Sequence, residues 1–320
     1  MPEPTTARRA VCRAFDRPLT IEEGAGPDVA PGQILVDIEA AGANFVDALI
    51  VQGRYQIRPQ LPFTPGMEVA GTARSSGQRV LALCWFGGFA TQVVVPEASV
   101  VPIPDGVSMG QAATLVQSYA TMLFSLTRRT TVAPGEWMAV LGAGGGVGLA
   151  AIDVAKALGA MVVACASTEE KLDAARRAGA DATIAYEDPG VDLKAAIREA
   201  TGGGADVVVD PVGGAKAEAA LRALRWGGRY VVLGFASGTI PQIPANQVLL
   251  NNRTIVGVDW GAFTFRDAPG NSALIAELVG MVADGRLRPV EPTTYPLEDV
   301  GRCLADLEER RITGKAVLVP

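Results

Sequence analysis

Residues 142–148 read Gly-Ala-Gly-Gly-Gly-Val-Gly, five glycines in seven positions. Glycine at this density does its chemistry through the backbone, because without a Cβ the main-chain N–H groups can come close to an anion. Aligned as Ala143-x-Gly145-x-x-Gly148, the run keeps the second and third positions of the dinucleotide fingerprint, with Ala143 at the first and Gly142 just before it. In that frame Gly145 lets the backbone approach a pyrophosphate and Gly148 lets a helix pack closely on a strand. The helix N-terminus at Gly146 and Val147 offers unpaired N–H groups to the anion. The alternative is a glycine-rich turn that caps a strand and binds nothing.

The elements that must position such a turn are present. Met138–Leu141 is a short apolar run suited to a parallel strand covered on both faces. Met161–Ala166 supplies a second strand about 20 residues after the turn begins, the spacing of a βαβ unit. An acidic side chain at the end of that second strand would accept from a ribose 2′-hydroxyl and repel a 2′-phosphate. Here the strand runs into Ser167 and Thr168, and Glu169 and Glu170 come later, where they fit the first turn of the next helix. Lys171 lies within reach of the same corner, and Tyr186 follows the third strand. Each of the three alone is more often just a solvated surface residue. Together a hydroxyl, a lysine and a tyrosine suit a phosphate better than a diol, which favours NADPH over NADH.

Composition narrows the remaining chemistry. A chain of 320 residues, 49% hydrophobic, suggests two domains with ordinary cores. A net charge of −6 and the lack of a basic stripe argue against a nucleic-acid partner. The first residues carry no apolar signal core, and no uncharged apolar run of about 18 residues appears, so the expectation is a soluble, cytoplasmic chain with no membrane partner. Cys12, Cys84, Cys165 and Cys303 are dispersed, unlike a disulfide framework or a zinc clip, and each reads as a small buried hydrophobe. Histidine is absent. That removes the usual nitrogen ligand for zinc and the usual acid–base group near neutral pH, so no metal is expected and the chemistry falls to a cofactor, a tyrosine, a carboxylate or a lysine.

The pattern of elements changes along the chain. Up to about residue 120 the runs are short and punctuated by glycine and proline, with strands expected at Gln33–Ile38, Arg79–Cys84 and Thr91–Val95. A segment with helical spacing lies between Pro104 and Pro134. From Trp137 strands and helices alternate. Strands are expected at Ala182–Ala185, Asp206–Asp210, Arg229–Leu233 and Thr254–Val258, and helices at Leu172–Ala178, Leu193–Ala200 and Ala215–Leu224. That alternation predicts a doubly wound parallel sheet. Helices at Ala273–Ala283 and Leu297–Glu309 and a strand at Ala316–Val319 close the chain.

Four residues of the β-rich part stand out. Asn44 is read either as a turn residue bonded to its own backbone or as a site residue. Asp47 reads as a structural carboxylate satisfied by backbone N–H groups, and Tyr55 as either a packed loop anchor or a catalytic phenol. Glu68 is a charge inside an apolar run, and a buried charge must be paired.

Several segments, in this order and spacing, carry a resemblance: Gly42-Ala43-Asn44-Phe45-Val46-Asp47, Gly53-Arg54-Tyr55, Pro65-Gly66-Met67-Glu68-Val69-Ala70-Gly71, Gly87-Gly88-Phe89-Ala90, the turn Gly142–Gly148, and Gly234-Phe235-Ala236-Ser237-Gly238. Over nearly its whole length the chain resembles the zinc-independent, zeta-crystallin-like quinone oxidoreductases of the medium-chain dehydrogenase/reductase superfamily. The resemblance implies an α/β chain with a GroES-like β-barrel domain from residues 1–125 and 261–320, and a Rossmann domain, the doubly wound parallel sheet, from 126–260. It implies NADPH as cofactor, with Gly234 and Phe235 beside the turn residues and Ser167, Lys171, Tyr186 and Arg310 at the 2′-phosphate. Asn44, Tyr55 and Thr121 would stand beside the nicotinamide or the substrate, as the catalytic set. Leu49 departs from the pattern, standing where some members carry a second active-site tyrosine. The activity implied is hydride transfer from NADPH to a small-molecule acceptor such as a quinone. The alternatives are reduction of an activated C=C bond, with Tyr55 as general acid, and a non-catalytic NADPH-binding role. A homodimer joined edge to edge at Thr254–Val258 is also implied.

Overall fold

The computed structural model describes residues 6–320 and divides into two compact units, one running up to Gln117 and resuming at Val290–Pro320, the other Ser118–Pro289. The first unit is organised around the strand Gln33–Ala43, which pairs antiparallel with Glu68–Ala73, Gln92–Pro96 and Ala316–Val319. Its first half alternates between covered and open faces. A register shift between Ile38 and Ala40 breaks that alternation, and from Ala40 to Ala43 every residue is buried. The shift aligns Gly42 with both Glu68 and Val317, and Ala43 with Ala316. That register brings the end of the strand, the start of Glu68–Ala73 and the start of the last strand to one place. The helix Phe45–Val51 follows directly, with Asn44 at its N-cap.

The second unit holds a six-stranded, all-parallel sheet. Counting Trp137–Leu141 as the first strand, the spatial order is 3-2-1-4-5-6, with Thr254–Gly257 at one edge and Ala182–Ala185 at the other. This is the doubly wound order, whose ligand crevice opens at the carboxyl ends of the strands where the order reverses. The expected strand–helix alternation is present. Leu193–Ala200, Ala182–Ala185 and Met161–Ala166 begin and end where their patterns do.

Other boundaries differ for local reasons. Glu169–Arg177 starts three residues before the apolar periodicity because the Thr168 hydroxyl caps it, accepting from the Lys171 N–H at 3.4 Å. The fifth strand runs Leu224–Val232, since Leu224 already pairs with Ala205 ahead of a register shift. Ala268–Ala283 gains a turn at its start because the Asp267 carboxylate accepts from the Gly270 N–H at 2.9 Å. The segment with helical spacing is helical in pieces: Met109–Ala113, a π-helical turn Val116–Ala120, Thr121–Phe124 and a second π-helical turn Ser125–Arg129.

The sequence division at 125/126 and 260/261 also differs from the units seen here. Residues 118–125 and 261–289 belong to the unit with the parallel sheet. Phe124 stacks on Phe263 with ring centroids 4.4 Å apart, and Arg128 pairs with Glu277 at 2.8 Å. Among the described residues no helix is long and apolar enough to cross a membrane.

Candidate nucleotide and acceptor sites

In the parallel-sheet unit the glycine turn is constrained on most sides. Gly142 has φ +60°, and a Cβ there would lie 2.9 Å from Val212 Cγ2. A Cβ on Gly144 would lie 2.3 Å from Lys171 Cβ, and one on Gly148 would lie 2.3 Å from the Gly142 carbonyl oxygen. Gly148 is therefore needed for the close approach of the helix Gly146–Ala157 to the turn. Gly145 is different, because the nearest protein atom to its added Cβ is 3.5 Å away and its φ of −87° suits any residue. Nothing in the protein requires glycine there, and the space a Cβ would fill is the cradle in front of a helix N-terminus. Ala143 is fixed by its N–H, which donates to Cys165 O at 3.1 Å.

Ser167, Lys171 and Tyr186 come together around this turn. Ser167 follows the second strand, the Lys171 stem crosses Gly144, and the Tyr186 N–H donates to Ala166 O at 3.1 Å. No carboxylate ends that strand; Glu169 pairs instead with Arg176. Sequence reasoning missed Lys216, whose ammonium donates to Tyr186 O at 2.9 Å, stands 5.0 Å above the Tyr186 ring and pairs with Glu187 at 3.5 Å. Arg310 belongs to the other unit, just past the helix Val300–Glu308, with φ +58°.

The wall opposite that corner is built on Asp210. One of its oxygens accepts from the N–H groups of Val212 and Gly213, at 2.7 and 2.8 Å, and the other accepts from the Tyr230 hydroxyl. Burial and the adjacent carboxylate push the Tyr230 phenol well above its ordinary value. The bend at 211–214 then holds the segment after the fifth strand: Ala236 N–H donates to Pro211 O and Ser237 N–H to Val212 O. Gly234 and the half-exposed Phe235 are thereby set at the carboxyl ends of the central strands. Asp210 was legible only as a carboxylate closing an apolar run.

Thr121 lies between the two π-helical turns of this same unit. Just before it, the Tyr119 hydroxyl donates to Asp153 at 3.0 Å, and the Arg288 N–H donates to the same oxygen at 2.7 Å. Burial raises both Tyr119 and Asp153 above their ordinary values.

The first unit contains a buried polar cluster. The Asn44 N–H donates to Asp47 Oδ2 at 2.8 Å, and the Asp47 N–H donates back to Asn44 O at 3.0 Å. The Asn44 side chain also meets two charged groups. Its Nδ2 donates to Glu68 Oε1 at 3.0 Å and its Oδ1 accepts from the Lys315 ammonium. Lys315 is 3.3 Å from Glu68 Oε1, and Glu68 Oε2 accepts from the Gln117 N–H at 2.8 Å. Glu68, required to be paired if buried, is 1% exposed and paired. Burial pushes the Asp47 carboxyl up to about 7, against the lowering effect of the Asn44 N–H. Lys315 carries the same signal as Glu68, a charge at the edge of an apolar run, but nothing in the order of residues joins the two.

Tyr55 is half-buried in the loop after Phe45–Val51, where Gly53, at φ +68°, packs against Phe15. Leu49 lies half-buried on that helix. Cys12, Cys165 and Cys303 are buried as expected. Cys84 is only half-buried, with its thiol donating to Gly66 O at 3.4 Å. Burial pushes Cys165 and Cys303 up to about 12. Among the described residues no group of three or more Cys, Asp or Glu side chains is placed to hold a metal ion.

Comparison with known proteins agrees with this geometry. The alcohol dehydrogenase GroES-like domain family matches residues 30–105, and the zinc-binding dehydrogenase family matches residues 146–277. The chain is 38% identical over 322 residues to the quinone oxidoreductase-like protein 2 of Bos taurus, covering 97% of this chain and 92% of that one. Among solved structures it superposes on a probable oxidoreductase from Mycobacterium abscessus with a TM-score of 0.88 at 34% identity, covering 99% and 100% of the two chains. It superposes on the Escherichia coli quinone oxidoreductase complexed with NADPH with a TM-score of 0.87 at 28% identity, covering 99% and 100%. A GroES-like domain joined to a doubly wound nucleotide-binding fold, with this extent of likeness, establishes that the chain belongs to the quinone oxidoreductase branch of the medium-chain dehydrogenase/reductase superfamily.

Proposed function

We propose that this protein is an NADPH-dependent, zinc-independent reductase that transfers hydride to a quinone or a similar electron-poor acceptor. The observation that supports the reading most is that the second strand ends in Ser167 without the carboxylate that would select NADH, with the stem of Lys171 packed across Gly144 beside it. The cradle in front of Gly145 fits a pyrophosphate, and the Escherichia coli relative is a complex with NADPH. NADPH, when bound, supplies the hydride.

The chain's own residues bind and orient. Gly145, Gly146, Val147 and Gly148 hold the pyrophosphate, and Ser167, Lys171 and Tyr186 hold the 2′-phosphate, with Arg310 as a further cation for it. Asp210 fixes the wall bearing Gly234 and Phe235. The family resemblance supports Asn44, Tyr55 and Thr121 as the residues that would meet the acceptor. A quinone suits a chain without histidine, because water or a nearby phenol can protonate the oxygen on which charge appears. The dispersed cysteines and missing histidine support catalysis without zinc.

We read the protein as cytoplasmic and as a homodimer. The dimer is supported by the edge strand Thr254–Gly257 and by Leu249 and Leu250, which lie exposed just before it. The test of function is a panel of acceptors, a quinone, an alkenal and an enoyl-thioester, each assayed for NADPH oxidation. Turnover of the quinone in preference to the others is the expected result. Preference for the alkenal or the thioester would replace it with C=C reduction, and tight NADPH binding without turnover of any acceptor would leave a binding protein.

A further inference from the structure

Four polar side chains of the first unit are buried together: Asn44, Asp47, Glu68 and Lys315. Of these, only Asn44 has a part in the proposed function. A lysine and a glutamate taken out of water cost free energy that their mutual attraction rarely returns in full, so a buried pair is weak evidence for stability and asks for another reason to be there. Space has been made for this one. A Cβ on Gly42 would stand 2.8 Å from Glu68 Cγ and 2.1 Å from Ala113 O, so the glycine that faces Glu68 across the sheet cannot be replaced without moving the carboxylate.

The pair fixes which way the Asn44 amide points. Oδ1 faces the Lys315 ammonium, which has only hydrogens to give, and Nδ2 faces the Glu68 carboxylate, which can only accept. Turning the amide over would set N–H against N–H and oxygen against oxygen, exchanging two charge-assisted hydrogen bonds for two repulsions. Glu68 is itself held by the Gln117 N–H, and the Asn44 backbone is held by Asp47. The amide plane is therefore fixed from both ends, and an Nδ2 group has two hydrogens, of which Glu68 takes one.

We infer that Lys315 and Glu68 are positioning residues for the reduction, holding the Asn44 amide so that it presents its second N–H, and never its carbonyl, to the acceptor oxygen on which negative charge develops. This rests on the proposed function for the placement of Asn44 beside the acceptor, and on the cluster alone for the orientation of the amide. The arrangement suits a site without histidine: a donor that cannot flip stabilises developing charge without reorganising. Lys315 also draws electron density from Oδ1, which strengthens the opposite N–H as a donor.

The experiment removes both charges at once, in Glu68→Gln/Lys315→Met, because deleting one partner alone strands the other in the interior and can unfold the chain. Quinone turnover, quinone KM, NADPH affinity and melting temperature are measured for this variant, for Asn44→Ala, and for the three changes combined. The expected result is a fall in kcat of about tenfold, the size of one hydrogen bond made in the transition state, with NADPH affinity unchanged. In the Asn44→Ala background the same two changes cause no further fall, because their effect passes through the amide. A folded double variant with wild-type kcat overturns the inference, as does an undiminished tenfold fall when Asn44 is already absent.

A second readout needs no turnover. Asparagine-selective 15N labelling reports on only five side-chain amides, and the Asn44→Ala spectrum identifies the one concerned. In the wild type, that amide should show two widely separated hydrogens, the one bonded to Glu68 protected from solvent exchange, and both features should be lost in the double variant. An unchanged Asn44 amide in the double variant contradicts the inference. A wild type that turns over no quinone contradicts the proposed function instead, and the amide spectrum then decides the orientation by itself.

Discussion

The Tyr230 hydroxyl donates to Asp210 across two neighbouring strands, and the other oxygen of the same carboxylate holds the Val212 and Gly213 N–H groups. One buried phenol thus supports the bend on which Gly234 and Phe235 are hung. Tyr230→Phe keeps the ring and leaves the buried carboxylate short of one donor. The expected loss is about 1–3 kcal/mol of stability, read from the denaturant midpoint. An unchanged midpoint would mean that the bend does not depend on this bond.

Gly145 and Gly148 should separate binding from folding. Gly148→Ala drives a Cβ against the Gly142 carbonyl, and overpacking of backbone on backbone is expected to cost about 1–3 kcal/mol. Gly145→Ala meets only the Gly142 carbonyl oxygen, at an ordinary contact distance of 3.5 Å, so stability should fall by less than about 1 kcal/mol, the cost of alanine at an N-cap. NADPH affinity should nonetheless fall about tenfold or more, because the methyl group fills the cradle. Calorimetric titration beside thermal unfolding checks both. A Gly145→Ala protein that binds NADPH normally would place the pyrophosphate elsewhere.

Asp47 should make stability depend on pH. In the unfolded chain its carboxyl titrates near 3.8, and in the fold burial pushes it up to about 7, with Glu68 raising it further, Lys315 lowering it, and the Cys84 and Cys303 thiols close by. The folded state therefore holds this proton more tightly than the unfolded state. Its stabilising contribution is full below about pH 4, declines as pH rises through the window up to about 7, and is absent above. The comparison is between wild type and Asp47→Asn, which keeps an oxygen for the Asn44 N–H. Wild-type stability should fall relative to the variant across that window. Parallel curves would show that the fold leaves this carboxyl titrating at its unfolded value.

Much of this architecture could be read from the chain because it is local. The strand, turn and helix around Gly142–Gly148 are contiguous, and Thr168 caps the next helix three residues from Lys171, within the reach of periodicity and capping rules. Glu68 could be recognised as a charge that needed a partner, but Lys315 lies 247 residues away and only the register of Gly42 against Glu68 and Val317 brings them together. The same holds for Lys216, which reaches Tyr186 through the packing of a later helix. The return to the first unit at Val290 was not legible at 261, because Phe263 and Glu277 are held by contacts with Phe124 and Arg128 that no local pattern marks.

Lys171→Glu should weaken the preference for NADPH. The substitution leaves the helix cap at Thr168 intact and sets a negative charge where a 2′-phosphate would sit. Loss of one charge-assisted hydrogen bond, about 1.5–3 kcal/mol, corresponds to a fall in NADPH affinity of about 10- to 150-fold, with NADH much less affected. Nicotinamide fluorescence titrations measure both. An unchanged ratio of the two affinities would remove Lys171 from the phosphate corner.

The most direct measurement is steady-state turnover of a benzoquinone by the wild-type protein, with NADPH and with NADH compared as kcat/KM under the same conditions. The expected result is quinone reduction that favours NADPH by about 10- to 150-fold, the span of one charge-assisted hydrogen bond to the phosphate. Equal use of the two cofactors, a preference for NADH, or NADPH binding without quinone reduction would contradict it.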